Sequence, residues 1–324
     1  MPILDKPLKE LKVYTGITPK PDDFDAYWDA RLNRLRAVKP EYKLSDPGVS
    51  CPGAVLNRLD FVAQDGSEIH CRIARPDTEK RVPVLFEFHG LAGNCGDYSG
   101  KLKWVAAGFA VIAMDCRGQG GLSSDKLPRA GLNLRGAVVR GVDGGPDGMY
   151  FVSVYSDIVQ LVELIKTFDF ADTSRMYAHG GSQGGGLTVA CAALCADDIK
   201  GLAPVYPYLS DFKRIYEMDL MDRAYEDMKY YIRQFLPEDG ERDDFWKTLG
   251  YIDIQNFAPR VKGETLWYCG LMDNVCPPST QFAAYNKITA PKSMYIASKF
   301  GHENGPRDWW DREFMFLTGL KDKN

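Results

Sequence analysis

Two textures of apolar residue alternate along this chain. Short runs with little polar interruption, Pro83–His89, Ala110–Met114, Arg175–His179, Leu202–Tyr206, Thr265–Cys269 and Ser293–Ile296, have the length and composition of buried strands. Between them lie stretches whose apolar residues recur every three or four positions, which predicts helices. Ser156–Phe168 carries Ile158, Leu161, Val162 and Ile165 at that spacing, and Gly186–Leu194 and Ser279–Asn286 read the same way. Ahead of this alternation, Phe24, Trp28, Leu32 and Leu35 predict a helix starting after Pro21. Val55–Ala63 and Ile69–Arg75 predict a hairpin through Gln64-Asp65-Gly66. Apolar strands alternating with helices imply an α/β fold, a mostly parallel central sheet with helices on both faces. We read residues 1–324 as one domain with an N-terminal extension over 1–50. Asp211–Gln255, rich in charge and aromatics, breaks the alternation and reads as helical throughout. It falls between two strands expected to be sheet neighbours, so 211–255 is assigned to a small helical cap rather than an overlong crossover.

Composition narrows the function classes. The chain has 324 residues, 45% hydrophobic and 26% charged, enough apolar material for a substantial core. Its 40 basic and 44 acidic side chains give a net charge of −4, and no basic run is present, which argues against nucleic acid as a partner. The charged N-terminus has no signal-type apolar region, and no membrane span is expected. Eight cysteines accompany four histidines, a poor supply for a metal site. Reduced, mostly buried thiols in a cytoplasmic protein are the expectation.

The chemistry concentrates at Gly180-Gly181-Ser182-Gln183-Gly184. Gly-x-Ser-x-Gly between a short strand and a helix is the pattern of a nucleophile elbow, where a strained turn lifts a serine hydroxyl above a sheet. In a chain with 31 glycines the pattern alone could be a nucleophile-free turn; its strand and helix flanks favour the catalytic reading. The residue after the serine opens a helix, so the N–H of Gln183 is free to donate to an oxyanion.

A serine hydroxyl needs a base. Of His70, His89, His179 and His302, only His302 follows Ser182, as the serine, acid, histidine order of α/β-hydrolases requires. His70 and His179 read as structural, and His89 as a support for its own loop. Asp273 is the first carboxylate past the Thr265–Gly270 strand and is the candidate acid, expected to fix the imidazole tautomer. Glu264 lies at the wrong end of that strand, and Glu303 adjoins the histidine and should point away. The second oxyanion donor should come from the loop after Phe88, with Leu91 or Gly90 as candidate.

At this level of detail the sequence resembles the acetyl xylan esterase and cephalosporin C deacetylase family, the seventh carbohydrate esterase family. The likeness rests on Arg117-Gly118-Gln119, Gly180-Gly181-Ser182-Gln183-Gly184 and His302-Glu303 in order, with Asp273 between the last two. Val205–Ser210, Pro277–Thr280 and Phe282–Asn286 support it. The resemblance implies a serine esterase that deacetylates small esters such as acetylated xylo-oligosaccharides and cephalosporin C. It implies Leu91 and Gln183 as oxyanion amides, an acyl-pocket wall near Pro207, no metal or other cofactor, and a cytoplasmic homo-hexamer. Leu91 stands where that family usually has tyrosine, which bears on the pocket lining rather than on the backbone donor. No chemistry follows for Arg117, and a structural turn or interface contact is expected of it. The competing readings are a general short-chain carboxylesterase, a serine peptidase, for which the insert is small, and a non-catalytic binding protein, which would usually lack a triad member.

Overall fold

Strands that are apolar on both faces are stable only between two layers of helix, and the chain satisfies this with a single sheet. A computed structural model describes residues 4–127 and 136–323. Nine strands run in chain order: β1 (Tyr42–Ser45), β2 (Ala54–Val62), β3 (Glu68–Pro76), β4 (Val82–Phe88), β5 (Ala110–Met114), β6 (Ala171–Gly181), β7 (Ile199–Val205), β8 (Glu264–Gly270) and β9 (Lys292–Ala297). Their order in the sheet is β1-β2-β3-β5-β4-β6-β7-β8-β9. The β1–β2, β2–β3 and β3–β5 pairs are antiparallel, and every pair from β5 to β9 is parallel. This is the α/β-hydrolase architecture expected above. The chain leaves β4 to one side for β5 and returns to its other side for β6, so a crevice opens at their carboxyl ends.

The predicted helix at Phe24 forms as α1 (Phe24–Arg36), burying Phe24, Trp28, Leu32 and Leu35. The helix expected over Ser156–Phe168 forms as α2 over Tyr150–Ile165, starting earlier because Tyr150, Phe151, Val152 and Val154 are as deeply buried as its later turns. Segment Val142–Ile165 is apolar and long enough to cross a membrane, contrary to the expectation that no stretch is. Its window is 89% buried, which accounts for the composition: α2 packs between α1 and α3 (Gln183–Leu194). The expected helix near Ser279 is α4 (Pro278–Tyr285), and a last helix, α5 (Trp309–Lys323), went unpredicted.

Between the parallel neighbours β7 and β8, residues 211–255 form helices Phe212–Glu217, Glu226–Phe235 and Asp243–Gly250 and the start of Ile254–Phe257. They are not helical throughout. Asp219 adopts φ +54° and Pro237 follows the second helix, and neither continues a helix. The insert rests on the N-terminal extension. Buried Asp211 accepts hydrogen bonds from the N–H groups of Ile17 and Thr18, each at 2.9 Å, and from the Tyr14 hydroxyl at 2.7 Å. Trp28 Nε1 donates to Tyr251 O at 3.1 Å.

Arg117 proves structural. Its buried guanidinium grips Asp157 of α2 through two bonds of 2.6 and 2.7 Å and also pairs with Asp65 in the β2–β3 turn. A second buried cluster lies under the elbow: His179 of β6 sits 3.3 Å from Glu313 of α5 and 3.4 Å from Glu87 of β4, which also pairs with Lys101. Burial pushes the His179 pKa down, but the Glu313 and Glu87 carboxylates outweigh it and raise it to about 9.

The stabilisation from this raised pKa is full below the unfolded value of about 6.5 and is lost as pH rises through the folded value. We therefore expect the stability advantage of wild type over His179→Gln, measured by urea unfolding, to shrink by up to roughly 3 kcal/mol between those two pH values. An advantage that holds constant or grows over that interval would refute a charged His179.

Candidate active site

Short range geometry makes the elbow. Ser182 adopts φ +59° and ψ −120°, a conformation that costs an L-residue free energy unless its surroundings hold it. They do. Ser182 N–H donates to Val205 O at 2.9 Å, and Ser182 O accepts from Gly186 N–H at 3.1 Å and Tyr208 N–H at 2.9 Å. The turn also needs its glycines. A Cβ on Gly180 would lie 2.5 Å from Phe88 O, and one on Gly184 only 2.0 Å from the same atom. The main chain of β6 and α3 therefore closes directly onto the end of β4.

Two further loops reach this point from the far side of the sheet. His302, in the loop after β9, places Nε2 2.9 Å from Ser182 Oγ and Nδ1 2.9 Å from Asp273 Oδ2. Asp273, fully buried past β8, keeps its other oxygen on the N–H groups of Val275 and Cys276, both at 2.8 Å. The two loops are tied together, since Met272 N–H donates to Phe300 O at 2.9 Å and Leu271 N–H to Ala297 O at 3.0 Å. Ser182, His302 and Asp273, remote in sequence, thus stand as one continuous hydrogen-bonded relay.

The loop after β4 supplies the opposite wall. A Cβ built on Gly90 would lie 3.9 Å from Ser182 Cβ, so this main chain passes beside the elbow serine. Among the described residues the N–H of Leu91 finds no acceptor, whereas that of Ala92 donates to Gln119 Oε1 at 2.9 Å. Gln183 is the first residue of α3, and its N–H lacks an intrahelical acceptor. Both amides are free to serve an anionic oxygen.

Gln119 is a positioning residue that motif reading left without a role. Its Nε2 donates to Gln183 Oε1 at 2.8 Å, Gln183 Nε2 donates back to Gln119 Oε1 at 3.1 Å, and that Oε1 also takes the Ala92 N–H. One side chain therefore spans the two segments bearing the free amides. Pro207 is buried against the first turn of α3, where a Cβ on Gly185 would meet it at 3.0 Å. The side chain of that loop facing the relay is Tyr206, whose ring lies 4.6 Å from the His302 ring. Tyr206 belongs to the Val205–Ser210 segment without any role assigned to it from sequence, and only the fold brings its ring to the relay.

The remaining histidines and acids do other work. His89 accepts the Cys116 N–H on Nε2 and bonds Gly90 O through Nδ1, bracing its loop. Burial lowers its pKa, keeping the ring neutral. His70 pairs with Asp60 on the β2–β3 hairpin. Glu264 opens β8 at the opposite end of the sheet, and Glu303 accepts the Gly301 N–H. Cys276 lies beside Asp273 and His302, but burial and then the Asp273 charge push its thiol well up, so it stays protonated and is no rival nucleophile. All eight cysteines are unpaired.

A hydroxyl against an imidazole, an oriented imidazole and two free amides form the equipment for acyl transfer. Comparison with known proteins gives concordant results. The family model described as Acetyl xylan esterase (AXE1) matches residues 1–320. The chain is 41% identical to Acetyl Xylan Esterase 1 from Thermoanaerobacterium sp. JW/SL YS485, covering 98% of this chain and 99% of that one with a TM-score of 0.94. It is 31% identical to an acetyl xylan esterase from Paenibacillus sp. R4, covering 97% and 99% with a TM-score of 0.90. A curated relative, Acetyl esterase Axe7A of Xylanibacter ruminicola, is 27% identical over 307 residues; the match covers 88% of this chain but 64% of that longer protein.

A fluorophosphonate probe, which reacts with an activated serine, is expected to label the wild-type protein and not Ser182→Ala. Asp273→Asn should slow labelling by about 10⁴-fold, the loss typical of a wrong histidine tautomer. Intact-mass and peptide analysis reads both; a label on any other serine would overturn the assignment.

Proposed function

The chain belongs to the acetyl xylan esterase family, and from that premise we propose that it is a serine carboxylic ester hydrolase removing acetyl groups from small carbohydrate esters. The observation that carries this reading is the relay of two 2.9 Å contacts from Ser182 through His302 to buried Asp273. Ser182 Oγ attacks the acetyl carbonyl carbon while its proton passes to His302 Nε2. The oxyanion rests on the N–H groups of Leu91 and Gln183; one such donor is worth about 3 kcal/mol of barrier. Asp273 stabilises the imidazolium. His302 then gives the proton to the leaving sugar oxygen, the C–O bond breaks, and an acetyl-enzyme remains. Water, deprotonated by His302, repeats the sequence and releases acetate.

Acetylated xylo-oligosaccharides are the substrate class that family membership favours, and the acetyl ester of cephalosporin C is a further one. The residue behind the oxyanion amide is Leu91 rather than tyrosine, which leaves a general short-chain carboxylesterase as the second reading. An acyl pocket closed just beyond a methyl group must displace packed atoms to take a longer chain, and the family resemblance is what sets such a wall near Pro207. We expect kcat/KM to fall steeply from acetate through propionate to butyrate in an ester series that includes acetylated xylo-oligosaccharides and cephalosporin C. Equal or better rates on butyrate would favour the general carboxylesterase.

We further propose a hexameric assembly. Exposed Tyr42 and Leu44, on one face of the edge strand β1, and the unpaired edge of that strand offer a surface for another copy. Multi-angle light scattering should give a species near six times the chain mass of 36.3 kDa, and a monomer at micromolar concentration would rule this out.

A further inference from the structure

His70, Cys95 and Asp115 take no part in the relay, yet they converge. All three are buried, and their donor atoms lie within 4.8 Å of one another. They come from β3, from the loop after β4 and from the end of β5. A cavity of about 260 Å³ opens onto them, lined also by Arg72, Asn94 and Leu122.

Two features orient this group as ligands are oriented. His70 Nδ1 lies 2.8 Å from Asp60 Oδ1, and Asp60 is also paired with Arg58 at 2.7 Å. An ionised carboxylate in that position takes the Nδ1 proton as its hydrogen bond and leaves the Nε2 lone pair free, the arrangement that metal-binding histidines use. Asp115 is held by two main-chain donors, Cys95 N–H on Oδ1 at 2.5 Å and Leu122 N–H on Oδ2 at 2.8 Å. Of the remaining lone pairs, one takes the Cys95 thiol proton; burial and the Asp115 carboxylate push that thiol up to about 12, so it becomes a thiolate ligand only when a cation displaces the proton. A Cβ on Gly121 would come within 2.1 Å of that carboxyl group, so the segment after β5 is shaped around it. Arg72, the cation of the lining, is occupied elsewhere: it donates to Gly96 O at 2.7 Å and stacks on Tyr98.

We propose that His70, Cys95 and Asp115 form a binding site for a divalent cation of the zinc class, with a solvent molecule as fourth ligand. Thiolate, imidazole and carboxylate together suit zinc and cobalt rather than magnesium or calcium. Bonds of about 2.0–2.3 Å place tetrahedral ligand atoms roughly 3.5 Å apart, so binding draws the three donors slightly together. The Cys95 thiol releases its proton to solvent, and thiolate plus carboxylate balance the two positive charges. The ion would pin the loop from Gly90 to Cys95, which carries the Leu91 amide, to β3 and to the end of β5. Its role is to clamp that loop, since the donors touch none of Ser182, His302 or Asp273.

The test is Co²⁺ titration of the full chain after chelator treatment and desalting, followed by competition with Zn²⁺. One equivalent of Co²⁺ should give a thiolate-to-cobalt band in the near ultraviolet and tetrahedral bands in the visible, both bleached by Zn²⁺. Cys95→Ser should lose the near-ultraviolet band, and Asp60→Asn should weaken affinity by about 10–100-fold. Zn²⁺ should raise the Tm of wild type and not that of Cys95→Ser. A second donor group, Asp273, Cys276 and His302, provides the control. A band that survives in Cys95→Ser and disappears in Cys276→Ala would place the ion at the relay and overturn the proposal. Absence of any band in wild type would also overturn it. Should Cys95→Ser fail to fold by circular dichroism, His70→Gln replaces it, with loss of the visible tetrahedral bands as the expected result and their full retention as the refuting one.

Discussion

The active centre depends on one close approach: the turn from β6 into α3 lies against the carbonyl end of β4 with no room for side chains. Phe88 O occupies the space that a Cβ on Gly180 or Gly184 would need. Because of that contact Ser182 can sit at φ +59°, in a backbone region that costs about 1–3 kcal/mol and persists only when over-determined. Its N–H and its carbonyl are both bonded into β7 and the loop that follows, so relaxing the strain would break hydrogen bonds in a buried sheet. The reward is a hydroxyl projecting above the sheet beside a helix N-terminus.

The parallel sheet turns this local strain into a site. Strands β4, β6, β8 and β9 all end on the same edge, so the loops bearing Leu91, Ser182, Asp273 and His302 meet without any long excursion. A buried carboxylate is tolerable only when its lone pairs are filled, and Asp273 is satisfied by two main-chain N–H groups and the His302 ring. The same groups fix the ring, so the condition for burying the charge is also the condition for orienting the base. Gln119 plays the corresponding part on the oxyanion side, joining the Ala92 and Gln183 segments through one amide.

Polar junctions also decide how the outlying segments dock. Arg117 ties the β2–β3 turn to α2, and Asp211 ties the start of the insert to residues 14–18. Arg117 is buried against Asp157 and Asp65, so removing either acid would leave a charge uncompensated in the interior; Asp211 is buried on neutral N–H and O–H donors, whose loss would leave its carboxylate unsatisfied. Such pairs hold the N-terminal extension and the insert in register with the sheet, where apolar packing alone is less particular about orientation.

Much of this was legible from the sequence because its causes are local. Strands apolar on both faces announced a covered parallel sheet, and glycine spacing between a strand and a helix announced the elbow. Chain order then singled out His302, and position after a strand singled out Asp273. Helix ends were less legible: α2 begins six residues before its predicted start, since continuous burial erases the amphipathic period that marks a boundary. Gln119 and Tyr206 stood in quoted motifs but without a role, and the His70, Cys95 and Asp115 group carried no local signal at all. Their relations join residues tens of positions apart through the register of β3, β4, β5 and β6, and such proximity has no period or spacing to be read. Local sequence determined the strands of the sheet, most of its helices and which serine sits in the strained turn. Tertiary structure alone decided which side chains surround it, because that depends on strand order and on loops meeting at a common edge.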